Sequence, residues 1–455
     1  MNKLNFYSTN HKAESVSFSQ ALLKGIAPDK GLYMPEEIPT IPADVISKFS
    51  EMEYYEIAFE VIKRFLKGEI EDDELLALVK DAYNYDVPLE HVYENKYVMR
   101  LDQGPTASFK DFAARMMGRL MNYYLQKQNR NLLILTATSG DTGSAIANAF
   151  YGLDNIKVVV LFPEDEVTAR QRKQMTTLGK NVQIISIDGK FDDCQAMVKE
   201  AFADSELDYL NLSSANSINI GRLVPQIVYY FYSFAKLRKG KDDDNIIFSV
   251  PSGNFGDMMG GVFAMKMGLP VKKFIISTNE NDEFPIYLET GIYNKIEPSV
   301  NCISSAMNVG HPSNIARLVA LYGGIMDEKG NITKQADIDL MRKEIFSVSV
   351  NDEQTKEMIK EAWNEHKLLL EPHGSVGWKG LTHFLESNKE FNSAEQLCVS
   401  LETAHPAKFP EQIIDLLSFD PELPASLKGI EEKEESYETI ENNFGAFKEF
   451  LKEKY

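Results

Sequence analysis

A chain of 455 residues is too long for one ordinary hydrophobic core, and at 44% hydrophobic and 25% charged it is neither disordered nor fibrous in composition. Its 48 basic residues against 68 acidic ones leave a net charge of -20, which repels nucleic acid and anionic membrane, although a local basic pocket still admits a small anion. Cys194, Cys302 and Cys398 lie far apart without a CxxC pair, which argues against a disulfide framework and suits a reducing compartment.

The opening MNKLNFYSTNHKAES has no apolar run after its lysine and does not read as a secretory signal. No apolar stretch approaches the roughly 20 residues that a membrane span needs. A cytoplasmic protein is expected. Residues 1–90 read as a small, mainly helical N-terminal domain. Within it GLYMPEEIPTIP (31–42) is extended, because Pro35, Pro39 and Pro42 each restrict the preceding residue, and YYEIAFEVIKRFL and DDELLALVKDAY carry a helical pattern.

Residues 91–430 change to apolar runs alternating with amphipathic segments. NLLILTA (131–137), KVVVLF (157–162), NVQIISI (181–187), NIIFSV (245–250) and KKFIIST (272–278) predict strands of an α/β fold, with two lobes of parallel sheets flanked by helices. The charged RKGKDDDN (238–245) reads as a surface connection between the lobes. Residues 431–455 read as a charged helical tail that packs or solubilises.

Two strand–glycine loop–helix units stand out. In LLILTATSGDTGSAIANAFYG a strand runs through Thr138, Ser139, Gly140, Asp141, Thr142 and Gly143 into a small-residue helix, and IIFSVPSGNFGDMMGG repeats the arrangement at Gly253, Asn254, Phe255, Gly256 and Asp257. Such loops aim backbone N–H groups and a helix dipole at one spot, which binds phosphate or carboxylate. Taken singly, each loop is read equally well as a tight turn that permits close packing. Neither carries GxGxxG or GxxxxGK[ST], so dinucleotide and triphosphate cradles are not supported. The seven histidines form no HxxxH pair, and no metal site is expected.

Between them lies LDQGPTASFKDFAARMMGRLM (101–121), in which Gly104 and Pro105 make a turn and Thr106 or Ser108 can cap the following helix. Phe109, Phe112, Ala113, Met116, Met117, Leu120 and Met121 form its apolar stripe, and Lys110 lies off that stripe. Pattern alone leaves Lys110 either a solvated lysine or one facing a cleft. A lysine that attacks an aldehyde must be deprotonated, which needs desolvation or neighbouring positive charge.

LDQGPTASFKDFAARMM, TATSGDTGSAIANAFYG, VPSGNFGD, SSAMNVGHPSNIARL (304–318) and LETAHPAKFPE (401–411), with GLYMPEEIP before them, together resemble the threonine synthase family, in its longer type with an extra N-terminal domain. The resemblance runs in order from about residue 5 to 420. It implies a tryptophan-synthase-like fold and pyridoxal 5'-phosphate held between two α/β lobes. Lys110 would be the Schiff-base lysine. The cofactor phosphate would lie on Gly253, Asn254, Phe255 and Asp257, the last an aspartate where some relatives carry asparagine, and Thr403 would meet the pyridine nitrogen. Ser139, Gly140, Asp141, Thr142 and Gly143 would take the substrate carboxylate. Asn219, Arg222 and Lys173 are candidates for the substrate phosphate. The implied reaction turns O-phospho-L-homoserine and water into L-threonine and phosphate, in a monomer or homodimer that binds neither nucleic acid nor membrane. The alternatives are a phospho-lyase on the same scaffold that releases phosphate and 2-oxobutyrate, and a non-catalytic ligand-binding relative.

Overall fold

Three short strands open the chain: β1 (Asn5–Ser8), β2 (Val16–Ser17) and β3 (Tyr33–Pro35), an antiparallel sheet in the order β2-β1-β3. The computed structural model describes residues 3–138, 140–241 and 244–455. Helices α1 (Phe18–Lys24), α2 (Ala43–Lys48), α3 (Tyr54–Ile62) and α4 (Asp72–Ala82) complete the N-terminal block. Ser17 and Gln20 form a reciprocal capping box that starts α1. On α3, Tyr54, Ile57, Ala58, Val61 and Ile62 are buried, the i, i+3, i+4, i+7, i+8 stripe its sequence predicts. The small sheet was not legible, because its strands are two to four residues long and one is a proline-ended piece of the extended segment.

The hairpin β4 (Leu89–Tyr93) and β5 (Lys96–Arg100) leads into the long helix α5 (Lys110–Gln128). Three βα steps and a further strand follow: β6 (Leu132–Ala137), α6 (Asp141–Phe150), β7 (Ile156–Pro163), α7 (Ala169–Thr176), β8 (Val182–Ile187), α8 (Phe191–Ala203) and β9 (Leu212–Ser213). Every residue of β6 is buried and β7 exposes only Lys157, as a parallel sheet covered on both faces requires. Next come α9 (Ile220–Leu223), α10 (Ile227–Leu237), β10 (Ile246–Pro251), α11 (Gly256–Lys266), β11 (Val271–Thr278), α12 (Glu283–Thr290) and α13 (Ile315–Leu321). A two-stranded ribbon, β12 (Ile325–Met326) and β13 (Ile332–Lys334), precedes α14 (Ile338–Glu344), β14 (Ile345–Ser349), α15 (Asp352–His366) and α16 (Pro372–Ser387). The chain ends through β15 (Leu397–Glu402), α17 (Pro410–Leu417), β16 (Glu438–Ile440) and α18 (Phe444–Lys454).

These strands build two sheets. One has the order β16-β8-β7-β6-β9, all parallel; the other has the order β14-β11-β10-β15-β5-β4, parallel except for β4. Helix α16 lies across β10, β11 and β15, where Trp378, Leu381 and Phe384 are buried. Its close approach depends on Gly380, since a Cβ there would stand 1.9 Å from the Ser277 hydroxyl oxygen. The charged tail is more than a helix: β16 extends the five-stranded sheet beside β8, and α18 buries Phe447, Phe450 and Leu451 against α8. Each of those side chains contributes about 2 kcal/mol of transfer free energy.

The N-terminal block shares one core with α5, α10 and α11. The Phe112 ring on α5 meets Tyr54, Tyr85 and Tyr229 at 5.5, 5.0 and 5.6 Å between centroids. Among the described residues no helix is long and apolar enough to cross a membrane.

Candidate active site

Lys110 is the first residue of α5, and a stitched turn holds it there. Thr106 donates its amide and its hydroxyl to the Asp111 carboxylate at 2.8 and 2.6 Å. The expected cap by Thr106 or Ser108 is therefore replaced by the reverse arrangement. Asp111, one residue inside the helix, takes both Thr106 donors, while Ser108 forms a bridge with Ala404. Gly104 is needed beside it, because a Cβ would lie 2.4 Å from an Asp111 oxygen. Phe109 N–H donates to the Thr403 carbonyl at 2.8 Å, and His405 N–H to the Ala107 carbonyl at 3.0 Å. The turn before Lys110 is thus sewn to the segment after β15, which carries Thr403 and Lys408.

The α5 stripe is buried as expected from Phe112 to Met121, with Phe109 half-buried. Lys110 itself is half-buried, with Asp141, Lys408 and Arg222 within electrostatic reach. Burial pushes its amine below the ordinary lysine range; Asp141 opposes the shift, and Lys408 and Arg222 add to it. Asp257 and Glu371 are also within electrostatic reach of Lys110. Both loops, the Thr403 segment and Arg222 therefore converge on this amine.

Ser139 of the first loop lies outside the described residues. Gly140 and Gly143 spend their N–H groups within the loop, on the Thr138 hydroxyl at 2.9 and 2.7 Å. The N–H groups of Asp141 and Thr142, in the first turn of α6, have no acceptor among the described residues. The Asp141 carboxylate accepts from Gln171 at 2.9 Å and pairs with buried Lys408 at 2.7 Å. Burial works to raise the Asp141 pKa, but Lys408 and Lys110 outweigh it and hold the carboxyl below the ordinary range.

The second loop sits at the N-terminus of α11. Phe255 takes a left-handed conformation, φ 62°, and packs edge-on against Phe284. A Cβ on Gly253 would lie 2.9 Å from both the Ala306 carbonyl and the Met307 Cα, so the loop fits this backbone only as glycine. The Asn254 carbonyl accepts from Asn314 at 2.9 Å, and Asn314 is held by buried Arg317 at 2.6 Å. That is the structural task of SSAMNVGHPSNIARL. The N–H groups of Gly253, Asn254, Phe255 and Gly256 have no acceptor among the described residues. A ring of free amides at a helix N-terminus, closed by backbone where a side chain would intrude, fits a phosphate group.

Asp257 points elsewhere. Its carboxylate accepts from the hydroxyls of Tyr229 and Tyr230 at 2.5 and 2.8 Å, and its second oxygen is buried without a partner among the described residues. Burial pushes this carboxyl up to about 6, against the lowering effect of the two tyrosines and Lys110. The folded form therefore holds the proton more tightly than the unfolded chain, and stability falls as pH rises from about 4 through 6. Asp257→Asn is expected to gain about 2 kcal/mol over the wild type at pH 8 and nothing at pH 4, measured by urea unfolding at both.

Thr403 is buried and donates to Glu371 at 3.4 Å. Glu371 also caps α16, accepting from the N–H groups of His373 and Gly374 and from His373 Nδ1. Because His373 Nε2 accepts from Ala306 N–H at 3.0 Å, the ring proton is assigned to Nδ1. Glu371 thus links Thr403 through His373 to the backbone that closes the second loop. Burial, with Glu371 and Asp102 alongside, holds neighbouring Glu402 well above the ordinary carboxyl range in spite of Arg100.

Of the phosphate candidates, Asn219 is spent on the fold. It caps α9 through Gly221 and donates to the carbonyls of Leu22 and Ser214. Lys173 donates to the carbonyls of Glu431 and Lys433 in the C-terminal segment. Arg222 is different: one Nη donates to the Ala215 carbonyl at 2.8 Å, while Nε is buried without a partner among the described residues. Burial lowers its pKa to about 10, with Tyr229 and Asp111 opposing. Glu371, His373 and Lys408 were missed by the sequence reading. Lys408 offered one clue, its place inside the apolar, proline-flanked PAKFP.

The family model for the threonine synthase N terminus matches residues 5–83, that for pyridoxal-phosphate-dependent enzymes residues 87–402, and that for the threonine synthase C-terminal region residues 376–451. A threonine synthase of Haemophilus influenzae is 38% identical over 449 residues, covering 98% of this chain and 99% of that protein. A crystal structure described as pyridoxal-phosphate-bound threonine synthase from Brucella melitensis superposes with a TM-score of 0.91 at 35% identity, covering 99% of both chains. The yeast threonine synthase structure gives 0.90 at 32% identity, covering 99% and 98%. The chain belongs to the threonine synthase family of pyridoxal-phosphate-dependent enzymes.

Proposed function

We propose that this protein converts O-phospho-L-homoserine and water to L-threonine and phosphate, with pyridoxal 5'-phosphate carried on Lys110. The observation that carries the reading is a single amine, Lys110, set at a helix start inside the cleft and depressed by burial, with two sets of free backbone amides around it. The free N–H groups of Gly253, Asn254, Phe255 and Gly256, with that of Asp257 following, would hold the cofactor phosphate. Thr403, backed by Glu371, would face the ring nitrogen. When bound, the cofactor supplies an electron sink for charge that develops on the substrate carbons.

The chain's own groups do the rest. The first loop, Ser139 to Gly143, takes the substrate carboxylate, chiefly through the N–H groups of Asp141 and Thr142. Arg222, whose orphaned Nε needs an acceptor, takes the substrate phosphate, with Asn219 holding α9 in place. Lys110 acts first as the nucleophile that carries the cofactor and then as the general base at the substrate Cα, both of which need a neutral amine. The free, buried state of all three cysteines supports a reducing, cytoplasmic location. We read residues 1–90 as one domain, 91–430 as the two catalytic lobes and 431–455 as a packing tail, in a monomer or homodimer.

Incubating the cofactor-loaded protein with O-phospho-L-homoserine and analysing products tests the reading. Threonine and phosphate in equal amounts are expected. Phosphate accompanied by 2-oxobutyrate without threonine would replace it with the lyase reading.

A further inference from the structure

Lys408 has no exposed surface, yet the reaction outlined above gives it no part. Its ammonium lies 2.7 Å from the Asp141 carboxylate and donates to the Thr106 carbonyl, also at 2.7 Å. Lys408 follows β15 of the six-stranded sheet, whereas Asp141 begins α6 behind β6 of the five-stranded one. The ion pair therefore bridges the two lobes and ends on the turn that delivers Lys110. Helix α7 holds the same junction from outside: Thr168 donates to the Lys408 carbonyl, Arg170 to the Ala407 carbonyl and Gln174 to the Thr106 carbonyl.

The placement of Asp141 is otherwise paradoxical. A carboxylate stands in the helix turn whose free amides, Asp141 and Thr142, are the ones available to an anion. Unpaired, it would repel that anion across a short, poorly screened distance. It would also be a buried charge without a partner, which is strongly destabilising. Lys408 removes both problems.

We propose that Lys408 is a positioning residue that cancels the Asp141 carboxylate across the lobe junction, so that the first loop can receive an anionic substrate and the charge beside Lys110 stays fixed. The inference rests on the reading of Lys110 as the cofactor lysine and of the first loop as the carboxylate site. Charged groups face Lys110 from several elements: Asp141 on α6, Lys408 after β15, Arg222 on α9, Asp257 on α11 and Glu371 at the start of α16. Lys408 also faces Asp111 and His405. Within this set Lys408 lowers the proton affinity of Lys110 and Asp141 raises it. Removing either member of the pair must shift Lys110 in opposite directions.

The test uses cofactor-loaded wild type, K408M, D141N and the K408M/D141N double variant. Two quantities are read from each: the KM and kcat for O-phospho-L-homoserine, and the midpoint of the pH titration of the visible absorbance of lysine-linked cofactor. K408M is expected to raise KM about tenfold or more and to move the midpoint up by about one pH unit. D141N should change KM much less and move the midpoint down, and the double variant should return both quantities toward wild type. Midpoints that move the same way in both single variants, or a double variant as impaired as K408M in KM, overturn the proposal. Should K408M fail to fold, the charge-neutral double variant and D141N still carry the test: an unshifted D141N midpoint, or a double variant that folds with a raised KM, overturns it. If wild type shows no lysine-dependent absorbance at all, the assignment of Lys110 falls as well, which separates the two failures.

Discussion

Lys110→Ala is expected to lower threonine formation by at least ~10³-fold while leaving the protein folded. On the proposed reading the loss is large because one amine would perform two tasks, covalent attachment of the cofactor and proton transfer at the substrate Cα, and among the described residues no second uncommitted amine faces the same space. Lys408 cannot substitute, since it is locked to Asp141 and the Thr106 carbonyl. The fold should tolerate the change, because Lys110 makes no ion pair or hydrogen bond among the described residues and its charge is already disfavoured by burial. The phosphate loop at Gly253 to Gly256 is untouched, so the variant should still bind the cofactor while losing the visible absorbance of the lysine-linked form. A small primary amine added to the variant should restore part of the activity. Undiminished turnover would show that Lys110 is a bystander.

Arg222→Met is expected to raise the KM for O-phospho-L-homoserine by about 10²-fold and to raise unfolding stability by about 1 kcal/mol. The two effects have one cause. Arg222 is a buried cation whose one acceptor among the described residues is a carbonyl, and its Nε has none there. Burial desolvates that charge, a cost that a bound phosphate would recover through charge-assisted hydrogen bonds worth about 1.5–3 kcal/mol each. Methionine fills much of the volume without the charge. Steady-state kinetics and thermal unfolding of the same preparation check both halves. A fall in stability together with an unchanged KM would assign Arg222 to the scaffold.

The strands that the sequence revealed share one property: they lie inside their sheets and are rich in Ile, Val, Leu and Phe. β6, β7, β8, β10 and β11 lie within one residue of the segments expected for them. β15, which sits at the middle of the six-stranded sheet, was not legible, because Ser400 and Glu402 interrupt its apolar run. The burial of Glu402 makes sense only with partners remote in sequence, the Glu371 amide and Arg100 among them. Lys408 and Asp141 were opaque for the same reason. A buried lysine looks like any other lysine until the carboxylate that neutralises it, 267 positions earlier, is seen beside it. The helical stripe on α5 could exclude Lys110 from the core, but could not say what the other side faced. The cap at its start was misassigned because Asp111 competes for the Thr106 donors, a contest that spacing rules do not rank.

β15 has a consequence for how the protein is made. It is wedged between β10 and β5, pairing Lys96 with Cys398 and Ile246 with Leu397. Until residue 402 has left the ribosome, the β4–β5 hairpin in front of the Lys110 turn has no strand-to-strand pairing with the strands that carry the second loop. At about 5–20 residues per second, the roughly 300 residues between β5 and β15 impose a wait of about 15–60 s. During that time β10 and β5 each present an unpaired apolar edge, an invitation to aggregation. Nascent chains of this protein should therefore depend on chaperones until synthesis is nearly complete, and the catalytic cleft is among the last parts of the molecule to exist.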